Sequence, residues 1–399
     1  MTTGTSTQLV ARTRAVERPG NVDDALAALG NDGFCWIDGD RAIIAAGVAA
    51  RVPAAHARDV LESVAIDGDT QFGPIACGAL TFDAPSAALL TIPARVLRFD
   101  NDGAHVTEID GAPVGAPPAW SGVPRRFAVE ARQDLTTWDA AVAAVTARID
   151  RGEVMKVVLA REVTVDADTA LAPVEVLARL YATQPGCFVF GAGQAPDRWF
   201  VGASPELLVR RRGEVVECRP MAGTVARGAR PDDDAAAVAA LDASPKQRSE
   251  HRIVIDAVVS ALTRHCDDVV AGEPEAVRYT AVTHLATRIR GRIRDGASAL
   301  ELALDLHPTP AVGGTPTDAA RKAIAELEPF DRGHYAAPVG WVDAHGDGEF
   351  AVALRCAELR GSHARLLAGA GIVAGSDPDD EWAETQAKLE PMLRALVRP

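Results

Sequence analysis

RGEVMKVVLAREVTV, residues 151–165, reads as a β-strand opened by a glycine: Val154, Val157, Val158, Leu159, Val163 and Val165 are apolar and mostly β-branched. Lys156 stands in the middle of this apolar run. Two readings compete for it. In one, the strand lies at a sheet edge and the ammonium faces water, guarding the edge against aggregation. In the other, the amine is desolvated, its pKa falls from about 10.4 towards neutrality, and it serves as a general base.

Working outward, the 399-residue chain is long enough for two or three domains or one large two-lobed domain, and a hydrophobic content of 48% supplies the core. A formal charge of −14 with no Lys/Arg run excludes a nucleic-acid or anionic-membrane surface. An anionic small molecule remains compatible if cations are concentrated locally. The cysteines at 35, 77, 187, 218, 266 and 356 form no CxxC pair and read as reduced core residues. The first twenty residues contain no apolar signal segment and no stretch approaches 18 apolar residues, so the expected location is the cytosol.

Residues 1–125 read as short strands with tight turns at Asp38-Gly39-Asp40 and Asn101-Asp102-Gly103, followed by a Gly/Pro-rich linker, DGAPVGAPPAWSGVPRR. Beyond it, Thr136 with Asp139 suggests a capping box ahead of a helix bearing Trp138, Val142, Val145 and Ile149. Further helices are expected over Pro173–Thr183, Pro245–His265 and Ala319–Leu327 and from about Asp379, with Pro391 expected to kink or stop the last. Strands come in consecutive runs and helices are grouped between them. That pattern favours an α+β fold over strict βαβ alternation.

Three other features bear on chemistry. Glu206, after Pro205 in VGASPELLVR, is either a solvated strand cap or a carboxyl projecting into a cleft. In SPKQRSEHRIVIDAVVSAL the stripe Ile253, Val254, Ala257, Ala261 extends back to Glu250 and Lys246, putting a carboxylate beside the core-facing side, unless it merely favours the helix dipole. In DPDDEWAETQAKLEPML, Glu381, Glu384 and Lys388 share a stripe beside Trp382, Leu389 and Leu393; the plain reading is a surface Glu384/Lys388 pair. With Glu250, however, these carboxylates suit magnesium, which takes one or two carboxylates plus water and substrate oxygens. Glycines 369, 371 and 375 in LLAGAGIVAG imitate a dinucleotide loop, but too little chain follows for the βαβ unit. Gly223 and Thr224 in RPMAGTVARG read as a loop whose bare backbone N–H groups approach an anion.

Taken in order, KVVLAR, FVGASPELLV, RPMAGTVARG, SEHRIVID, VTHLATRIRG, LHPTPAVGGTP, RGHYAAPVGWVD, FAVALRCAEL and AGAGIVAGSDPDDEWAETQAKLEPML resemble the chorismate-utilising enzymes over about residues 130–395. The resemblance implies an α+β fold of two packed, mainly antiparallel β-sheets flanked by helices. Residues 1–125 would be its variable lobe, integrated with the fold, and 130–395 its chorismate-binding catalytic region. It also implies a magnesium-dependent site for chorismate.

Family members that add ammonia carry glutamine at the position of Lys156, whereas members that add water carry lysine; aminodeoxychorismate-forming relatives often have lysine where Ala222 stands. Nothing here resembles a glutamine amidotransferase segment, and a monomer without such a partner is expected. Ala311 in HPTPAVGG is similar to isochorismate synthases, while salicylate-forming relatives tend to have threonine in that loop. The resemblance therefore implies water addition at C2 of chorismate with loss of the C4 hydroxyl, Lys156 acting as base and Glu206 as acid. Glu250, Glu384 and Glu381 would serve the metal, and Arg355 and Lys388, with backbone at Gly223, Thr224, Gly369 and Gly371, would receive substrate charge. Ala311, Tyr335, Leu354 and Leu367 would form walls, and His284 a polar contact. A salicylate synthase, which would go on to eliminate pyruvate, and a non-catalytic chorismate-binding protein are the alternatives. Menaquinone and siderophore pathways are both compatible with the product.

Overall fold

The computed structural model describes residues 9–68, 72–114, 124–195, 197–228 and 230–397. Most of the proline-rich linker, 115–123, lies outside them. The strand around Lys156 extends over Lys156–Ala167 and belongs to a 13-stranded sheet. It pairs antiparallel with His363–Ile372 along one side and with Phe127–Ala131 and the short Gly314–Thr315 along the other. The strand is thus paired on both sides beside Lys156, which at 1% exposed does not face water.

A 9-stranded sheet packs on the first, and a 3-stranded sheet of Met221–Ala226, Glu275–Arg278 and Val282–Ala286 is an addition to the two sheets expected. One core cluster draws Trp36, Phe190 and Phe200 from the large sheet and Ile75, Val209 and Phe350 from the second. Pairing is antiparallel except between Val10–Val16 and Ala65–Gly68. The expected α+β architecture, mainly antiparallel and flanked by helices, is the one observed.

Chain segments before residue 125 enter both sheets: Phe34–Asp38 pairs with Phe188–Ala195, and Ile75–Ala79 with Pro338–Asp343. Buried Glu349 joins the layers, accepting from Trp36 Nε1 at 2.8 Å and Arg210 Nε at 2.9 Å. All six cysteines are buried and unpaired. Among the described residues no helix is long and apolar enough to cross a membrane.

Several local expectations are corrected. The helix Leu135–Asp150 is capped by Asp134, which accepts from Thr137 N at 2.8 Å, rather than by Thr136. A carboxylate there both satisfies the N–H and favours the helix dipole. Helix Pro245–His265 buries His251, Val254, Ile255, Val258, Ala261 and Leu262, so its core stripe is rotated from the expected one and Ile253 and Ala257 are only half-buried. The last helix, Pro378–Val397, continues through Pro391 without stopping, since burial of Leu389, Met392 and Leu396 outweighs one lost backbone bond.

The Lys156 strand poses a backbone problem. Between its two partners on the linker side, residues 158–162 have no neighbouring strand, yet their polar groups are buried and need partners. Side chains and loops supply them. Val158 N donates to Gly313 O at 2.9 Å, Val158 O accepts from Arg332 at 2.7 Å, and Ala160 N donates to Glu328 at 2.7 Å. Gln133 takes Ala160 O at 3.3 Å and Glu162 N at 3.1 Å, and Arg132 N reaches Glu162 O at 3.0 Å. Arg332 and Glu328 pair at 2.6 Å, both side chains 2% exposed.

Because removing one member of a buried pair strands the other, Arg332→Met is expected to cost about 3–5 kcal/mol of stability. A shift of the guanidinium unfolding midpoint worth less than about 1 kcal/mol would show that the gap closes without it.

Candidate active site

The strand edge just described fixes where Lys156 enters the protein's interior. Across the strand pair Gly371 provides its room: a Cβ on Gly371 would meet Glu250 Oε1 at 2.7 Å and Lys156 Cε at 2.8 Å. One at Gly369 would meet the Tyr335 hydroxyl at 3.0 Å. These glycines are strand residues within His363–Ile372, and Gly223 and Thr224 belong to strand Met221–Ala226, so neither pair forms the loop expected. Bare backbone in a sheet does the same work, because the pleat carries no side chain where ionised groups must approach.

In that room Lys156 Nζ meets Glu250 Oε1 at 2.8 Å. Glu250 comes from helix Pro245–His265, and from helix Pro378–Val397 come Glu384 and Lys388, paired at 2.5 Å, with Lys388 Nζ also donating to Gly369 O at 2.9 Å. Glu250, Glu384 and Lys388 converge on a cavity of about 50 Å3 that they line together with Glu206, Gly223, Thr224, His284, Ala311, Tyr335, Leu354, Arg355, Gly369 and Gly371, while Lys156 stands outside the lining and reaches the cavity through Glu250. Wider clefts of about 910 and 430 Å3 lie elsewhere and lack this convergence. Leu367 is buried in the core one pleat from Gly369 and does not line the cavity, which corrects its expected place as a wall. Glu381, also outside the lining, is 6% exposed and turns to Lys246 at 3.4 Å.

Glu206 is 3% exposed rather than a solvated cap. Its N–H donates to Ser204 Oγ at 3.2 Å and its carbonyl accepts from Val352 N at 3.1 Å, anchoring it between two strands. Burial raises its carboxyl from 4.5 to about 7, against the opposing pull of a Met221 backbone bond and of Lys156, Arg355 and Lys388. A carboxyl in that range carries a proton at neutral pH for much of the time.

Arg355 adopts φ of +50°, a left-handed conformation costly for a residue that carries a Cβ. Its guanidinium donates to His284 Nε2 at 3.1 Å. An arginine only donates, so Nε2 carries no proton and the Nδ1–H donates to Thr224 Oγ1, 3.0 Å away. Burial, then Arg355 and Lys388, hold the imidazole far below its ordinary pKa, consistent with that neutral tautomer. Thr224 Oγ1, accepting from His284, keeps its own proton to donate.

The acidic groups suit a hard cation in kind, being carboxylate oxygens only. Burial and repulsion from Glu384 and Glu250 raise the Glu381 carboxyl, so the three lie within electrostatic reach of one another. Among the described residues no three His, Cys, Asp or Glu side chains stand close enough together to hold an ion. Each glutamate is engaged by a lysine instead: Glu250 by Lys156, Glu384 by Lys388, Glu381 by Lys246.

Several contributors escaped the sequence reading. Val158 lines the cavity from two residues beyond Lys156, the spacing that returns a strand to the same face, and Val312 follows Ala311. Pro205, Met221 and Ala222 complete the walls. Gln247, one turn before Glu250, accepts from Thr224 N at 3.1 Å and so ties the carboxylate helix to the glycine-bearing strand. Helical periodicity from Glu250 points to Gln247, but no local signal marks its partner.

Comparison with known proteins identifies the family. The family described as chorismate binding enzyme matches residues 118–397. MenF of Mycobacterium tuberculosis H37Rv is 43% identical over 333 residues, 81% of this chain and 86% of that protein. DhbC of Bacillus subtilis, an isochorismate synthase, is 37% identical over 383 residues, 89% of this chain and 91% of its own. The solved structure of MenF, the menaquinone-specific isochorismate synthase of Escherichia coli, superposes with a TM-score of 0.85 at 27% identity, covering 97% of this chain and 95% of that one. With the family matched over most of its length and the fold shared throughout, this chain belongs to the chorismate-binding enzymes.

Proposed function

We propose that this chain is an isochorismate synthase, a magnesium-dependent isomerase that adds water at C2 of chorismate and expels the C4 hydroxyl. The observation that carries the reading is a buried, proton-retaining carboxyl, Glu206, on the wall of a cation-lined cavity, with a buried amine, Lys156, standing directly behind that wall on Glu250 at 2.8 Å. Lysine rather than glutamine at 156 favours water over ammonia as the nucleophile, and the names of the relatives above point the same way.

In this mechanism Lys156 takes a proton from the attacking water while Glu206 delivers one to the departing hydroxyl, which leaves as water. One water enters and one departs, so substrate and product are isomers. Arg355, oriented by His284, and Lys388 receive the substrate's carboxylates, and Thr224 donates a further hydrogen bond. Magnesium, held by Glu250 and Glu384 with Glu381 assisting, would neutralise a substrate carboxylate. The cavity of about 50 Å3 is well below the 300–1,000 Å3 usual for ligand pockets, so substrate binding requires the lysine–glutamate pairs to part.

Purified protein incubated with chorismate and magnesium should accumulate isochorismate, resolved chromatographically; salicylate with stoichiometric pyruvate would identify a salicylate synthase, and binding without turnover a non-catalytic protein. Lys156→Gln should lose about 10²–10⁴-fold in kcat while chorismate binding stays measurable by calorimetry. Near-normal turnover would remove Lys156 from the base role.

Glu206 gives a pH signature of definite sign. Its acid form is needed, so kcat/KM should fall tenfold per unit as pH rises through about 7. The same raised pKa means that the folded state binds more protons than the unfolded state between pH 4.5 and 7, so the group lowers stability as pH climbs through that window. Glu206→Gln should therefore stabilise the protein by about 3 kcal/mol above pH 7, with the gain vanishing below about 4.5, while abolishing most turnover. A gain that is independent of pH would contradict the assignment.

A further inference from the structure

Arg161 lies on the Lys156 strand and is 1% exposed, yet among the described residues no carboxylate pairs with it, the neighbouring Glu162 being taken by Arg132 and Arg365. Burial alone lowers its guanidinium, to about 10. A buried charge without a counter-ion is costly, and such groups persist where their hydrogen bonds are needed. Among the described residues, the hydrogen bonds and ring contact of this guanidinium go to one helix, Pro378–Val397. Nε donates to Thr385 Oγ1 at 2.7 Å, Nη2 to Gln386 Oε1 at 3.3 Å, and the plane sits 3.4 Å from the Trp382 ring.

Thr385 passes the bond on, donating to Trp382 O at 2.7 Å. On its other side Trp382 meets the edge of Trp138, with ring centroids 6.1 Å apart, and Trp138 Nε1 donates to Pro378 O at 3.0 Å. The first turns of the helix are thus held in rotation by Arg161 and in axial position by Trp138. Those same turns carry Glu381, Glu384 and Lys388. A rotation about the helix axis would turn Glu384 from the cavity and carry Glu381, which stands just outside the lining, with it.

We propose that Arg161 is a positioning residue for the metal site: by stacking on Trp382 and bonding Thr385 and Gln386, it sets the rotation at which Glu381 and Glu384 face magnesium. The inference rests on the magnesium-dependent reading above. Lysine cannot replace it, since an ammonium lacks the planar fork that stacks and bonds at once.

The test is calorimetric titration of magnesium chloride into the full chain held with an equilibrated mixture of chorismate and its isomer, alongside turnover at saturating chorismate with magnesium varied. Arg161→Gln and Arg161→Lys should each weaken magnesium binding tenfold or more, leaving kcat at saturating magnesium within about threefold of the parent protein. Equal magnesium affinity in parent and variants would overturn the positioning role while leaving the metal reading intact. Should the parent chain itself bind no magnesium and turn over without it, the metal reading falls first. If the arginine variants do not fold, Thr385→Val removes the acceptor while keeping the buried charge; a threefold or greater loss of magnesium affinity supports the inference, and an unchanged affinity overturns it.

Discussion

The gap on one side of the strand Lys156–Ala167, and its closure by a buried Arg332–Glu328 pair, is the constraint on which the site depends. A continuous neighbouring strand there would satisfy the backbone more simply. It would also cover the region where residues 309–315 fold back to place Ala311 and Val312 against the cavity. Arg332 bonds Val158 O and Val312 O together, so one side chain holds both the Lys156 strand and the loop that lines the cavity through Ala311 and Val312. The interior is therefore rigid at the point where an amine must be buried, and the energetic cost of that burial is met by hydrogen bonds that also shape the pocket.

Burial works in opposite senses on the groups around the cavity. It keeps a proton on Glu206 and takes one from His284, although the same cations, Arg355 and Lys388, bear on both. For the carboxyl, desolvation outweighs the attraction of those cations; for the imidazole, desolvation and repulsion act together. One enclosed, positively charged space can thus hold a proton donor beside a neutral hydrogen-bond relay at the same pH. A more open pocket would lose the distinction, since both groups would drift back towards their ordinary values.

The architecture was legible in the sequence because strand and helix periods are local properties: helices Pro173–Thr183 and Pro245–His265 have the limits read from their flanking prolines and polar ends. The convergence of Lys156, Glu206, Glu250 and Lys388 was legible only through resemblance, as they are scattered over more than 200 residues of chain. What local reading misplaced has a common cause. Gly369, Gly371 and Gly223 look like loop glycines, yet they occupy strands because side chains from other elements press against them. Asp134 displaced Thr136 as a cap by a choice between two acceptable residues two positions apart. Leu367 follows the alternation of Gly369 and Gly371 but lies too far along the strand to reach the cavity. Arg161 gave no signal at all, since its partners are more than 220 residues away.

Charge balance explains how so acidic a chain can receive a dianion. Without ligands, the lysines of the site are neutralised internally, Lys156 by Glu250 and Lys388 by Glu384. Under the proposed function, a dianionic substrate and a divalent cation bring no net charge between them. Their arrival allows an exchange of partners: Lys388 and Arg355 pass to the substrate's carboxylates, and the glutamates pass to magnesium. Either ligand alone would strand charge in a buried space, the substrate by competing with the glutamates for Lys388, the metal by leaving the lysines without counter-ions. Binding of the two is therefore coupled and reciprocal by linkage. On the proposed mechanism, removal of Glu250 from Lys156 would be the step that turns a structural ion pair into an amine free to act as a base, and it would tie the arrival of both ligands to the readiness of that amine.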